Sequence, residues 1–396
     1  MRYSLRYASP QGGDAGHPFG EKYMSHLITG STPAQDGFRM PGEFEPHRRI
    51  WMIWPERPDN WRDGAVPAQA AYAAVARAIS RFEPVMMLAS AAQRKRCCAE
   101  FAGDADICVL PMESDDAWVR DVGPSFLINE AGQLRAVDWE FNAWGGLVDG
   151  LYHPWDRDDA VAAQICVLAG ADRYRTDGFV LEGGSFHVDG EGTVMTTKMC
   201  LLSRGRNPQL SQEQIEEKLC AYLGARKVIW LKDGIDPDET NGHVDDVACF
   251  VRPGEAACIW TDDPAHPYYR VCQENYRILS EAADAHGRSL NVHKICCPKE
   301  MVRPEASFVY EENPDAIRRT QETLCAASYL NFLIVNGGVI APQYGDENDA
   351  LALEQLQAAF PERKVVGVQT REIVYGGGNI HCITQQEPLA RSFRTE

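Results

Sequence analysis

No two of the thirteen cysteines are separated by two residues, so the sequence offers neither a zinc ribbon nor a thioredoxin motif. Their number is odd, and Cys97–Cys98 and Cys296–Cys297 are adjacent, which argues against a disulfide framework. Most sit in apolar segments such as Ile107-Cys108-Val109 and Ile165-Cys166-Val167 and read as small core residues of a reduced, cytoplasmic protein. No apolar run is long enough to span a bilayer, and the N-terminus lacks the hydrophobic stretch of a secretory leader, so no membrane contact is expected. Basic residues are scarce: 39 Lys and Arg stand against 57 Asp and Glu, a net charge of −18. That balance disfavours nucleic acid and anionic lipid as partners. It suits a small cation, and it equally suits solubility alone.

What is present is enough apolar sequence for a large core, 44% against 24% charged. Residues 1–39 are rich in Gly, Ser, Pro and Asp and read as a loose extension; 40–386 run on without a polar linker as one catalytic unit, and 387–396 form a tail. Tyr72, Val75, Ile79 and Phe82 recur at helical spacing. Ser211 and Gln214 form a capping-box pattern, Ile215, Leu219 and Leu223 continue the stripe, and Gly224 ends it. Leu353, Leu356 and Phe360 mark a third helix. After these helices Val85–Leu88, Val228–Leu231 and Val365–Val368 read as buried strands. Four segments read as hairpins around turns: Ser125–Asn129 with Leu134–Trp139, Ser185–Val188 with Thr193–Thr197, Val247–Val251 with Ala257–Trp260, and Tyr329–Val335 with Val339–Pro342.

Polar clusters precede the first three hairpins, and Asp121, Glu182 and His243 follow one another at intervals of 61 residues. A fixed period of this length points to a repeated supersecondary unit. Repeats set around an axis would gather their polar clusters at one end, in a site built from residues far apart in the chain.

Cys382 follows the run Gly376-Gly377-Gly378, where glycine allows close backbone approach; it reads as a nucleophile at a tight site or as a buried cysteine beside a turn. His381 would point to the opposite face of an extended segment and is not taken as its base. His243 and Asp245 share a face at i, i+2 spacing on an extended backbone. They fit a general base with its carboxylate, a surface pair or two metal ligands. Asp121 reads as a site acid or as the ion-pair partner of Arg120, Trp118 as core or ligand wall, and Glu182 as a site acid or a turn acid. Together, one thiol, one imidazole and three carboxylates suit chemistry on a planar cation. Two carboxylates clamp a guanidinium, a thiolate attacks its carbon, and an imidazole protonates the departing ammonia.

Six segments carry a resemblance: 51–55 (WMIWP), 115–121 (DDAWVRD), 139–146 (WEFNAWGG), 181–185 (LEGGS), 240–245 (TNGHVD) and 376–382 (GGGNIHC). Over about residues 40–386 the chain closely resembles the agmatine deiminase family of the guanidine-modifying, or pentein, superfamily. The resemblance implies an α/β fold of five pseudo-symmetric blades, a five-bladed propeller around a central site. It implies Cys382 as nucleophile and His243 as general acid/base. Asp121 and Asp245 would bind the guanidinium, Glu182 would orient His243, Trp118 would line the channel, and Glu239 would lie near the distal amine. The implied substrate is agmatine, hydrolysed to N-carbamoylputrescine and ammonia through a cysteine thiouronium, with no cofactor and no metal. A homo-oligomer is compatible with this reading. Two parts depart from the family pattern: residues 1–39 and the stretch Cys296–Phe308. Three rivals use the same residues differently: a deiminase of arginine or peptidyl-arginine, an amidinotransferase, and a catalytically silent polyamine-binding protein, which would not need Cys382.

Overall fold

The computed structural model describes residues 25–235, 239–299 and 324–390. The described residues form a mixed α/β fold in which five separate sheets share one strand plan: an antiparallel pair followed by a strand parallel to its second arm. Ser125–Asn129, Leu134–Glu140 and Asp172–Val180 form the first unit, with Phe38–Arg39 added at the edge. Phe186–Val188, Thr193–Thr197 and Lys227–Leu231 form the second, and Ala248–Arg252, Glu255–Trp260 and Asn291–Cys296 the third. Leu333–Val335, Gly338–Gln343 and Lys364–Gln369 form the fourth. The fifth joins the chain's two ends: Gln385–Pro388 pairs antiparallel with His47–Ile53, and Val85–Ala89 and Ile107–Pro111 follow in parallel.

A helix fills each of three parallel crossovers where the periodicity predicts one. Val66–Ser80 buries Tyr72, Val75 and Ile79, whereas Phe82 falls in the turn beyond it. Gln212–Leu223 buries Ile215, Leu219 and Leu223, each worth about 1.5–3 kcal/mol. Its capping box at Ser211 and Gln214 is formed, and Gly224 closes it at φ 66°, a left-handed turn where a side chain would be strained. Asp349–Ala359 is the third, with Leu356 fully buried. Among the described residues, no helix is long and apolar enough to cross a membrane.

The sequence reading needs three adjustments here. Of the three strands expected to be buried, only Val85–Ala89 is buried throughout, because Ile107–Pro111 covers its outer edge; Lys227–Leu231 and Lys364–Gln369 are outermost in their sheets and half-exposed. The segment 25–39 is not loose: Leu27 bridges to Arg173, and Phe38 is buried where its strand pairs with Ile128 and Asn129. Glu387, assigned to the tail, is a buried strand residue that accepts from Trp51 Nε1 at 3.0 Å and ion-pairs with Arg49 at 2.9 Å. The rest of the proposed extension and most of the divergent stretch Cys296–Phe308 lie outside the described residues.

Candidate active site

The residue groups just before each hairpin meet. Asp121, Glu182 and His243, at their 61-residue intervals, are in ion-pair contact: His243 Nε2 lies 3.5 Å from Glu182 Oε2 and its Nδ1 3.9 Å from Asp121 Oδ2. The fourth and fifth hairpins contribute Asn331 and Cys382. Asn331 Nδ2 donates to Cys382 Sγ at 3.2 Å, and its Oδ1 accepts from the His381 and Cys382 amides at 2.9 and 3.3 Å. Asp245 Oδ2 lies 3.7 Å from Cys382 Sγ. All are nearly closed to solvent, with exposures of 7% for Cys382, 4% for Asp121 and 1% for His243.

Local backbone sets these positions. Gly184 donates its amide to Asp121 Oδ1 at 2.8 Å. A Cβ there would lie 2.6 Å from His243 Nδ1 and 3.0 Å from oxygens of both Asp121 and Asp245, so only glycine lets these three side chains converge. Ala143 and Trp144 adopt left-handed φ of 53° and 64°, at a cost of order 1 kcal/mol each. That turn brings Trp144 Nε1 to Asp121 Oδ2 at 2.9 Å. Buried Arg206 holds it in place by donating to Trp144 O, while its Nε donates to Glu182 Oε1 at 2.8 Å.

A narrow cavity of about 20 Å³, measured as room for the centre of a water-sized sphere, opens onto Cys382 and is lined by Trp118, Asp121, Trp144, Glu239 and Gly378. Trp118 is oriented by Nε1 donating to Asp116 Oδ2 at 2.9 Å and by its ring against Trp61, centroids 5.2 Å apart. A Cβ on Gly378 would meet Trp118 Cζ3 at 2.7 Å and Cys382 Sγ at 3.1 Å. Gly378→Ala must therefore displace one or the other, and we expect a loss of at least about tenfold in kcat/KM with the melting temperature little changed. Steady-state assays beside thermal melts would check this. A larger cleft of about 480 Å³ lined by Glu56, Arg57, Glu113, Asp115 and Arg157 lies elsewhere and contains neither cysteine nor histidine.

The electrostatics are set by burial and by the crowding of carboxylates. Burial, then the negative charge of Asp245, Asp246 and Asp121, pushes the Cys382 thiol well above its ordinary value. Burial pushes Asp121 up to about 6, against the pull of His243. Burial favours neutral His243, but the Asp121 carboxylate, with Cys200 and Glu182 beside it, outweighs burial and holds the imidazole well above the usual histidine range. Asp245 and Glu182 go the other way, because His381 and Arg206 respectively overcome burial and hold each below the usual carboxylate value.

Among the described residues, two buried triads bring three metal-type donors within 4.8 Å of one another: Glu43, His187 and His381, and Glu182, Cys200 and His243. In each, a guanidinium already faces the carboxylate: Arg120 lies 3.9 Å from Glu43, and Arg206 2.8 Å from Glu182. A cation therefore already faces each carboxylate.

The structure therefore brings Cys382, His243, Glu182, Asp121 and Asp245 together and sets Trp118 and Glu239 on the cavity wall. Three local expectations change. His243 and Asp245 are not on a strand; Val244–Asp246 is a 3-10 turn capped by His243. His243 faces Asp121 and Glu182, whereas Asp245 bonds His381. Arg120 does not take Asp121 as partner; it donates to Gln386 Oε1 at 2.7 Å and to His381 O at 3.2 Å. Sequence reasoning missed Asn331, Arg206, Glu43 and the Trp144 indole donor. For Asn331 a signal was available: it opens the fourth hairpin, where the repeat calls for a polar residue.

A family model for the Porphyromonas-type peptidyl-arginine deiminase matches residues 39–388. A solved structure of agmatine deiminase of Enterococcus faecalis is 61% identical, with a TM-score of 0.90, over 92% of this chain and all of that one. The agmatine deiminase of Pseudomonas aeruginosa is 54% identical over 368 residues, 91% of this chain and 98% of its own. The C. jejuni agmatine deiminase, at 24% identity and TM-score 0.75 over 89% of this chain and 97% of that one, shares the fold. With a cysteine, a histidine and converging carboxylates in one buried site, the chain belongs to the Porphyromonas-type peptidyl-arginine deiminase family and is a hydrolase of amidine carbon–nitrogen bonds.

Proposed function

We propose that the chain is an agmatine deiminase, converting agmatine and water to N-carbamoylputrescine and ammonia as a step toward putrescine. One observation carries this reading: a buried thiol faces a small cavity whose charged lining residues, Asp121 and Glu239, are both acidic. Asp245, against the thiol, keeps Oδ1 buried without a hydrogen-bond partner. A dication with a guanidinium at one end and an ammonium at the other matches this lining. The relatives named agmatine deiminase support the same substrate.

In this reading the five sheets are the blades of a pentein propeller and residues 40–386 one catalytic unit. Thirteen free cysteines suit a reducing cytoplasm. The guanidinium docks between Asp121 and Asp245, and Trp118 flanks the methylene chain toward Glu239. Its charge cancels the carboxylate field that raises the Cys382 thiol, so on binding the S–H bond breaks, its proton passes to solvent and the thiolate forms. Sulfur bonds to the guanidinium carbon, and the electron pair of the C=N bond moves onto nitrogen. His243 gives its proton to a terminal nitrogen, and the C–N bond breaks to release ammonia. Water then adds its oxygen to the thiouronium carbon and yields a proton to His243. The C–S bond breaks as the remaining hydroxyl proton passes to solvent, which frees neutral N-carbamoylputrescine and the Cys382 thiolate; the thiolate takes up a proton from solvent when product leaves. Glu182, fixed by Arg206, holds His243 in place throughout.

Free arginine adds an α-carboxylate that must be desolvated in an acidic cavity. A penalty of about 2.7 kcal/mol is a hundredfold in kcat/KM. We expect at least that preference for agmatine, measured as N-carbamoylputrescine against citrulline formation at equal, subsaturating substrate. Arginine turnover within about tenfold of agmatine would overturn the substrate while leaving thiol-based deimination standing.

A further inference from the structure

Resting on the reading above, we propose that His381, held between Asp245 and Glu43, is a positioning residue that fixes the Asp245 carboxylate for the guanidinium. His381 Nδ1 lies 2.7 Å from Asp245 Oδ2, and its Nε2 lies 2.9 Å from Glu43 Oε2. A neutral imidazole has one N–H, so one contact would set a lone pair against a carboxylate; only the imidazolium donates to both. Glu43 is anchored in turn, with Oε1 accepting the Ile334 amide at 2.7 Å. The chain carboxylate–imidazolium–carboxylate is wholly buried and joins segments 338 and 136 residues apart. It occupies Asp245 Oδ2 and leaves Oδ1 for the substrate.

Asp245 feels His243, Arg120, Asp121 and Cys382 besides His381. Glu43 faces His187 at 3.7 Å and Arg120 at 3.9 Å, with Arg363 and Cys249 farther off. The His187 ring stacks on His381 with centroids 6.1 Å apart, and its Nδ1 accepts the Phe250 amide at 3.2 Å, so it presents an N–H toward Glu43. Against burial and Arg120, Glu43 and then Asp245 keep His381 charged. Without the imidazolium, Asp245 would take up a proton at a higher pH and lose its grip on the guanidinium from the acid side.

The test has two arms. In the wild-type protein, ¹⁵N-edited NMR of the imidazoles, assigned with His381→Asn, should find both His381 nitrogens protonated at about pH 8; a singly protonated ring would overturn the relay. This arm needs no turnover, so it decides the relay even if wild-type protein releases no ammonia from agmatine, a result that would instead sink the functional reading. In the second arm, Glu43→Gln should raise Asp245 past Asp121, so that Asp245 comes to set the acid limb of kcat/KM for agmatine and moves it up by at least about one pH unit. It should raise KM about tenfold or more near pH 6.5, with kcat within about threefold. His381→Asn, which keeps a donor toward Asp245, should retain at least about tenfold more kcat/KM than His381→Ala. A loss uniform across pH, with no KM-against-kcat split, would mean a merely structural role and would overturn the proposal.

Discussion

Cys382→Ser should lower kcat for agmatine by more than about a thousandfold while leaving the fold intact. The serine hydroxyl would sit in the same cavity, beside Asn331 and Asp245, but an alkoxide is far harder to form near neutrality than a thiolate. The carboxylates that raise the buried thiol would oppose the more basic alkoxide as well, and the cationic substrate must offset them in either case. Binding should survive, since Asp121, Asp245 and Trp118 are untouched. Steady-state rates with a parallel binding isotherm check both halves, and near-normal turnover by the serine protein would remove Cys382 from the reaction.

His243→Ala should abolish turnover, a loss of at least about 10²–10⁴ from the missing proton transfer alone. Alanine would also leave Asp121 and Glu182 buried without the cation between them, so His243→Gln is the companion variant; it should fold and remain inactive. The wild-type pH profile carries the sign. Asp121 protonates near 6 in the folded protein, so kcat/KM should fall as pH drops through that value and the guanidinium loses a carboxylate. His243 is held well above the usual histidine range, so its proton stays available at neutral pH and is lost only on the alkaline side. The limbs belong to the coupled cluster of Cys382, His243 and the carboxylates. A flat profile between about pH 5 and 9, with an active alanine variant, would contradict the assignment.

Much of this site was legible because its residues lie at structural repeats. Each hairpin announces itself by alternation and a glycine turn, and the polar residue before it stands out against apolar neighbours, which is how Asp121, Glu182 and His243 were found at equal intervals. Asn331 escaped because it is embedded in the apolar run Tyr329–Val335, which reads as one strand, whereas only Leu333–Val335 is extended. Glu43 and Arg206 escaped for a different reason. Their partners are His381 and Glu182, and pairings 338 and 24 residues apart leave no local period. His243 and Asp245 would share a face only on an extended backbone; the chain turns there, and His243 meets Asp121 and Glu182 while Asp245 bonds His381. His381 was set aside as a base on a strand argument. The segment is a turn, yet its ring does point away from the cavity, onto Asp245 and Glu43.

The most direct measurement is an acid-quenched mass spectrum of the protein during agmatine turnover. The account predicts that the peptide containing Cys382 gains the mass of agmatine less ammonia, that the adduct appears and decays at rates compatible with kcat, and that Cys382→Ser never shows it. Steady N-carbamoylputrescine formation with no adduct at any quench time, or an adduct on a cysteine other than Cys382, would contradict it.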